Sequence, residues 1–319
     1  MAATRTLGSS DLAVSPIGLG GNVFGWTADE PASHRILDAY VDAGGNFIDT
    51  ADGYSHWAQG HVGGESEAVI GSWLRSRGQR DDVVIATKVS TKPDRRGLAV
   101  DNIHTAIDES LDRLQTDHVD LYYAHFDDPD TPLEETVAAF EAVRAAGKTR
   151  YVGLSNYMPD RIEEWCAIAA ANDFAPPVAL QPHYNLLHRQ DVEGPGNRGE
   201  VAAAHHLGLV PYFSLASGFL TGKYLPGTDS ASARSGWVKD YLRPECFAVV
   251  DLLRQIADAH AVAPAAVALA WLRDRPGVIS PLASARTDAQ LGPILDALSL
   301  ELAAEEAAAL TRASDLAQV

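Results

Sequence analysis

Asp49, Lys88, His125, the Ser155-Asn156 pair, Gln181 and Ser214 each stand at the end of a short apolar run, and Tyr54 follows Asp49 in the next loop. A phenol, an amine, a carboxylate and an imidazole brought together make a proton-transfer unit. Phenol has a pKa of about 10, and an ammonium such as that of Lys88 stabilises phenolate, lowering that value and making Tyr54 a better acid near neutrality. Asp49 would hold Lys88 charged and in place. His125 would hydrogen-bond a carbonyl oxygen, which then meets two donors as hydride addition gives it charge. The group holds no evident nucleophile, so reduction fits better than hydrolysis. Taken singly, Asp49 and Lys88 also admit the reading of a buried ion pair, the less favoured of the two, and a lone His125 is more often a hydrogen-bonded core residue. Recurrence at successive strand ends sets them apart.

The elements that would position these groups follow from hydrophobic periodicity. Strand candidates are Ile17 to Gly20, Asn46 to Asp49, Val83 to Lys88, Val119 to His125, Tyr151 to Ser155, Val178 to Gln181, Leu209 to Ser214 and Val278 to Pro281. A hairpin precedes them, with Thr6-Leu7 and Leu12 to Val14 joined by Gly8-Ser9-Ser10. Amphipathic helices alternate with the strands: one from Thr27 or Asp29 to the Gly44-Gly45 stop, one after Gly63-Gly64, one that Asp101 can cap, and others up to a tail helix near Ala303 to Asp315.

No GxGxxG follows the first strand, so a closed barrel is favoured over a doubly wound sheet. The expectation is an α/β fold, a (β/α)8 TIM barrel with an N-terminal β-hairpin and extra C-terminal helices, forming one domain over residues 1–319. A barrel gathers the C-terminal ends of its strands around one mouth, which would bring the polar groups together. Glu193 to Asn197 and Pro226 to Gly236 read as long loops.

Composition narrows the function class. The 319 residues are 46% hydrophobic and 21% charged, a globular balance, with a formal net charge of −18. That charge repels phosphate backbones and anionic lipid, so neither a nucleic acid nor a membrane surface is expected as partner. Cys166 and Cys246 form no paired motif, so buried thiols are expected rather than a disulfide scaffold, and no metal site is read. The N-terminus lacks an apolar leader and the stretch Ala261 to Leu272 is too short to span a bilayer, so a cytoplasmic location is expected.

The motif Gly45-Asn46-Phe47-Ile48-Asp49-Thr50-Ala51 with Tyr54, then Gly64-Glu65-Ser66-Glu67, together with Thr87-Lys88, Ser110 to Leu114, and Asp120-Leu121-Tyr122 before His125, resembles the aldo-keto reductase superfamily. The likeness spans nearly the whole chain and is greatest to the longer bacterial members and to potassium-channel β subunits. It implies Asp49, Tyr54, Lys88 and His125 as a catalytic tetrad and NADPH as cofactor. It further implies that Ser155, Asn156 and Gln181 hold the nicotinamide carboxamide, with Tyr184 stacked on the ring. The run from Phe213 through Ser214, Leu215 and Gly218 to Lys223 would cover the pyrophosphate, Lys223 and Arg234 adding positive charge. Ser284, Arg286 and Gln290 would hold the adenosine 2′-phosphate at a helix start. The family's usual Asn beyond Gln290 is replaced by Ile294.

Phe24, Trp26 and Trp57 are candidate apolar walls for a carbonyl substrate, and His205-His206 read as surface residues. NADPH-dependent reduction of aldehydes or ketones is the expected activity. A cofactor-sensing regulatory subunit of the channel-β type and a lyase using Lys88 as a Schiff-base nucleophile are the rivals. A homo-oligomer is left open.

Overall fold

A computed structural model describes residues 4–225 and 238–319. The chain opens with a hairpin, β1 (Arg5–Thr6) paired antiparallel to β2 (Ala13–Val14). There follow β3 (Gly18–Gly20), α1 (Glu30–Asp42), β4 (Phe47–Asp49), α2 (Glu65–Arg77), β5 (Val84–Val89), α3 (Val100–Leu114), β6 (Val119–Ala124), α4 (Leu133–Ala145), β7 (Thr149–Ser155), α5 (Pro159–Ala171), β8 (Ala179–Gln181), α6 (Arg198–Ala204) and β9 (Gly208–Leu209). The rest comprises α7 (Pro244–His260), α8 (Pro264–Arg273), β10 (Leu282–Ala283), α9 (Asp288–Asp296) and α10 (Ala304–Asp315).

All neighbouring strands from β3 to β10 pair in parallel, in the order β10-β3-β4-β5-β6-β7-β8-β9. The ring closes where the Ile279 N–H donates to Leu209 O at 2.9 Å and the Leu282 N–H to Pro211 O at 2.8 Å. This is a (β/α)8 barrel with the expected hairpin. The last strand lies later than Val278 to Pro281: Val278 makes an isolated bridge to Leu209, while β10 itself pairs with β3 at Leu282 and Ala283. Pro281 has no N–H to give to a ladder, so regular pairing resumes only after it.

Alternation along each strand decides what faces inward. Phe47, Val84, Ala86, Leu121, Tyr123, Ala179 and Val210 fill the barrel interior with Leu7, Leu12 and Val14 of the hairpin segment. Ile48, Ile85, Tyr122, Leu154 and Leu180 point the other way, into the layer between barrel and helices. Two residues on from inward Phe47, Ala86 and Tyr123, the same parity gives Asp49, Lys88 and His125. One arithmetic of strand period thus builds both the apolar plug and the polar floor above it.

The helices begin and end for local reasons. The Asp29 carboxylate accepts the Ala32 N–H at the start of α1, and left-handed Gly78 closes α2. Asp101 does not cap α3: the cap position is Ala99, and Asp101 lies inside the first turn, where its charge favours the helix dipole. A Cβ on Gly71 of α2 would strike the Arg113 carbonyl of α3, so this close helix approach requires glycine. Both cysteines are buried. Among the described residues, no single helix is long and apolar enough to cross a membrane.

Candidate active site

At the floor of the barrel mouth, Lys88 Nζ donates to Asp49 Oδ2 at 2.6 Å, to Thr50 O at 2.8 Å and to Tyr54 Oη at 2.9 Å. Its three protons therefore have three acceptors. The Tyr54 hydroxyl donates to Asp49 Oδ2 at 3.2 Å, and Gln181 Nε2 donates to Asp49 Oδ1 at 2.9 Å. Lys88 is wholly buried and Asp49 nearly so, whereas Tyr54 and His125 are half-buried and reach the mouth. The rings of Tyr54 and His125 lie 6.1 Å apart, centre to centre.

Charge states follow from burial. Desolvation lowers the Lys88 amine from its usual pKa, opposed by the adjoining Asp49 carboxylate. Desolvation and the nearby charge of Lys88 hold His125 well below the usual imidazole value, so it is neutral. Burial, then the Asp49 charge, hold the Tyr54 phenol well above its ordinary value. Residue types alone predict that Lys88 lowers that value; in the fold desolvation and Asp49 raise it, and the phenol keeps its proton.

A buried charge cluster lies behind the floor. The Asp52 N–H donates to Lys88 O at 3.1 Å, but neither carboxyl oxygen of Asp52 has a hydrogen-bond partner among the described residues. Burial and then the neighbouring Glu67 push Asp52 up to about 7. Glu67 is engaged by Arg113 Nε at 2.7 Å and by the hydroxyl of Thr87.

The floor opens into a cavity of about 610 Å³. Of the expected residues, Asp49, Tyr54, His125, Asn156, Gln181, Phe213, Ser214, Leu215, Gly218, Lys223, Ser284, Arg286, Gln290, Trp26 and Trp57 line it. Lys88 does not, being covered by the groups it binds. An amine so enclosed offers no attack on a carbonyl carbon, which removes the Schiff-base lyase reading. Ser155 lies beneath the wall, its hydroxyl donating to Gln181 O at 3.1 Å. Arg234 lies outside the described residues, as does the Pro226 to Gly236 loop.

Two expectations are corrected. Tyr184 is not on the cavity wall: the turn after β8 carries it into the barrel–helix layer, where its hydroxyl donates to Glu193 at 2.6 Å and its ring meets Trp271 of α8. Phe24 is likewise wholly buried in that layer, because the turn over residues 21–28 folds it inward.

The tyrosine on the wall beside Asn156 is instead Tyr212, whose hydroxyl donates to Asn156 Oδ1 at 2.7 Å. Strand parity could have found it, since Tyr212 lies two residues beyond inward Val210. His56, Thr91 and Phe126 also line the cavity and were missed. They sit on loops just beyond strand ends, where no periodic signal operates.

Several wall residues adopt left-handed backbone, among them Asn156 (φ 62°), Phe213 (φ 52°) and Ser217 (φ 55°). Non-glycine residues pay strain in this region, and such strain gathers at functional sites. At α9, the Thr287 hydroxyl accepts the Gln290 N–H at 3.3 Å and Gln290 Oε1 accepts the Arg286 N–H at 3.1 Å. The Arg286 backbone is thereby held beside a helix N-terminus, and a cation at such a place is a combination suited to an anion. Pro293 and Ile294 continue the wall from there.

The residues fit a nicotinamide dinucleotide: amides beside the acid, a glycine-containing turn, and cations Lys223 and Arg286 on the wall. Ser214 and Asn156 are held by internal hydrogen bonds, so their positions are set beforehand. Among the described residues, no group of His, Cys, Asp or Glu is arranged to hold a metal ion.

Residues 16–315 match the Aldo/keto reductase family. The chain is 34% identical to Protein tas of Escherichia coli over 92% of both chains, and 36% identical to the uncharacterized oxidoreductase YrpG of Bacillus subtilis over 93% of this chain and 91% of the relative. It is also 34% identical to a probable voltage-gated potassium channel subunit beta of Oryza sativa, over 93% of this chain and 91% of the relative.

Proposed function

The chain belongs to the aldo/keto reductase family of oxidoreductases, and from that premise we propose that it reduces an aldehyde or ketone to an alcohol with NADPH. The observation that carries this reading is the 2.9 Å contact between Lys88 Nζ and the Tyr54 hydroxyl on a cavity that also bears Arg286.

Asn156 and Gln181 would hold the carboxamide and Tyr212 the face of the nicotinamide ring, while Lys223 and Arg286 would take the phosphates. What the nicotinamide supplies when bound is the hydride for the carbonyl carbon. Tyr54 and His125 would hold the carbonyl oxygen between two donors. An unpaired, buried Nδ1 in His125 is tolerated more easily as an acceptor than as a donor, which puts the imidazole proton on Nε2 for that bond.

As the oxygen gains charge, its proton affinity rises beyond that of the phenol, and Tyr54 gives up its proton despite its raised pKa. The phenolate so formed faces the Lys88 ammonium, which Asp49 keeps in position. On this reading Lys88 would stabilise Tyr54 after transfer rather than ionise it beforehand.

The test is a panel of carbonyl compounds followed by NADPH and NADH absorbance. NADPH oxidation that depends on the added carbonyl, and that falls about 10²- to 10⁴-fold in Tyr54→Phe, is expected. Undiminished turnover in that variant would remove Tyr54 as the donor.

Likeness to the Oryza sativa channel subunit supports a second reading, a cofactor-sensing regulatory subunit. NADPH binding without carbonyl-dependent oxidation, together with a stable co-purifying protein, would favour it.

A further inference from the structure

We propose that His183 is a positioning residue for the cofactor: stacked with His188 behind Tyr212, it fixes the plane of the phenol ring on which the nicotinamide would rest. This rests on the reductase reading above and concerns the cofactor wall of that same site.

The arrangement follows from strand register. β8 and β9 pair Ala179 with Gly208 and Leu180 with Leu209, and the chain returns to that register beyond both strands in a parallel bridge between His183 and Tyr212. Residues paired on neighbouring parallel strands turn their side chains to the same face, so the imidazole comes to lie against the phenol. The two rings stack with centres 5.5 Å apart and planes 24° from parallel. His188 stacks in turn on His183, at 3.9 Å and 8°. Tyr212 lines the cavity, whereas His183 and His188 do not.

Polar contacts hold each member of this run. The Tyr212 hydroxyl is bound to Asn156 at the mouth. Asn185 Nδ2 donates to Phe213 O at 3.0 Å and meets His183 Nε2 at 3.3 Å, while Asn185 Oδ1 accepts the Leu187 N–H at 2.8 Å. An amide nitrogen only donates, so His183 Nε2 accepts and the ring proton lies on Nδ1. Burial, then the neighbouring His188, push His183 down to about 4, which keeps the ring neutral.

His188 is tied at both ring nitrogens, with Val319 O 3.0 Å from Nδ1 and Asp191 Oδ2 3.1 Å from Nε2. The Val319 N–H donates to Leu187 O at 2.9 Å, and the Arg189 N–H to Gln318 Oε1 at 2.7 Å. The segment after α10 thereby pins the loop after β8 that carries both imidazoles. With its hydroxyl bonded and its ring supported from behind, Tyr212 is ordered before any ligand arrives, so less ordering remains for the cofactor to impose.

The test measures binding of two ligands to the full chain by calorimetry: NADPH, and adenosine 2′,5′-bisphosphate, which carries the adenosine half without the nicotinamide. The proteins are the wild type, His183→Leu, which fills the space without a flat face, His183→Phe, which keeps a ring, Tyr212→Leu, and the double variant with leucine at both positions. Carbonyl-dependent NADPH oxidation by the wild type is followed alongside. His183→Leu is expected to weaken NADPH binding about tenfold and to leave the bisphosphate within about twofold, with His183→Phe retaining most of the affinity. In the Tyr212→Leu background, His183→Leu should change NADPH binding by less than about twofold, because its effect passes through the phenol.

Unchanged NADPH binding in His183→Leu, equal weakening of both ligands, a loss in His183→Phe as large as in His183→Leu, or a full loss in the absence of Tyr212 each overturns the positioning role; carbonyl turnover by the wild type would leave the reductase reading standing in all four cases. NADPH binding with the expected pattern but without carbonyl-dependent oxidation supports the positioning role and removes the reductase reading. A wild type that binds no NADPH overturns both.

Discussion

The amine of Lys88 lies 2.9 Å from the hydroxyl of Tyr54 across a separation of 34 positions in the chain. Lys88 comes from inside β5 and Tyr54 from the loop after β4, so the contact exists because those strands are neighbours and Lys88 has inward parity. Charge balance and part of the stability of the barrel floor meet at this one contact, which the proposed proton transfer would also use.

That contact makes a prediction for pH dependence. Tyr54 is held protonated well above its ordinary range and His125 neutral well below its own. Carbonyl reduction by the wild type is therefore expected to show no acid limb at about 6.5 and no alkaline limb below about 10. A bell centred between those values in kcat/KM would contradict both assignments.

Removing Lys88 should harm folding as well as turnover. Lys88→Met leaves the Asp49 carboxylate buried without its cation, at a cost of about 3–5 kcal/mol in urea unfolding. Adding Asp49→Asn to Lys88→Met should return much of that stability without restoring activity. Additive destabilisation by the two changes would show that the pair is not coupled.

Asp52 predicts the opposite sign. Its folded pKa is raised to about 7 from an ordinary 3.8, so between those values the native state binds more protons than the unfolded chain. Its contribution to stability therefore falls as pH rises through that window, and the penalty is complete above about 7. Asp52→Asn removes an ionisable group and should raise the melting temperature at pH 8 relative to the wild type, with a smaller gain at pH 5. A gain independent of pH would show that packing, not ionisation, governs the site.

Arg286 tests cofactor choice. With its backbone N–H bound by Gln290 at the start of α9, it is expected to bind the 2′-phosphate with a charge-assisted bond worth about 1.5–3 kcal/mol. Arg286→Ala should weaken NADPH binding about 10- to 100-fold by fluorescence titration while leaving NADH binding nearly unchanged. Equal weakening of both would place the arginine elsewhere on the dinucleotide.

Much of this site was legible before any coordinates. Short apolar runs, each closing on a polar residue, identify the strand ends of a parallel barrel, and Asp49, Lys88, His125 and Gln181 follow from that pattern because it is local to each segment of chain. The start of α1 was legible for the same reason, Asp29 acting within a turn of chain, whereas Asp101 lies inside the first turn of α3 rather than at its cap.

Only the tertiary structure decided what the loops do. Tyr184 and Tyr212 are both tyrosines just beyond strands, yet one turns into the helix layer against Trp271 and the other faces the mouth with its hydroxyl on Asn156. Phe24, Trp57 and Phe126 divide in the same way between core and cavity wall. Loop direction depends on packing against distant elements, and no periodicity encodes it. The proton affinity of Tyr54 was also beyond the sequence: residue types announced the ammonium, but only the enclosure of the phenol and its contact with Asp49 fixed the direction in which its pKa moves.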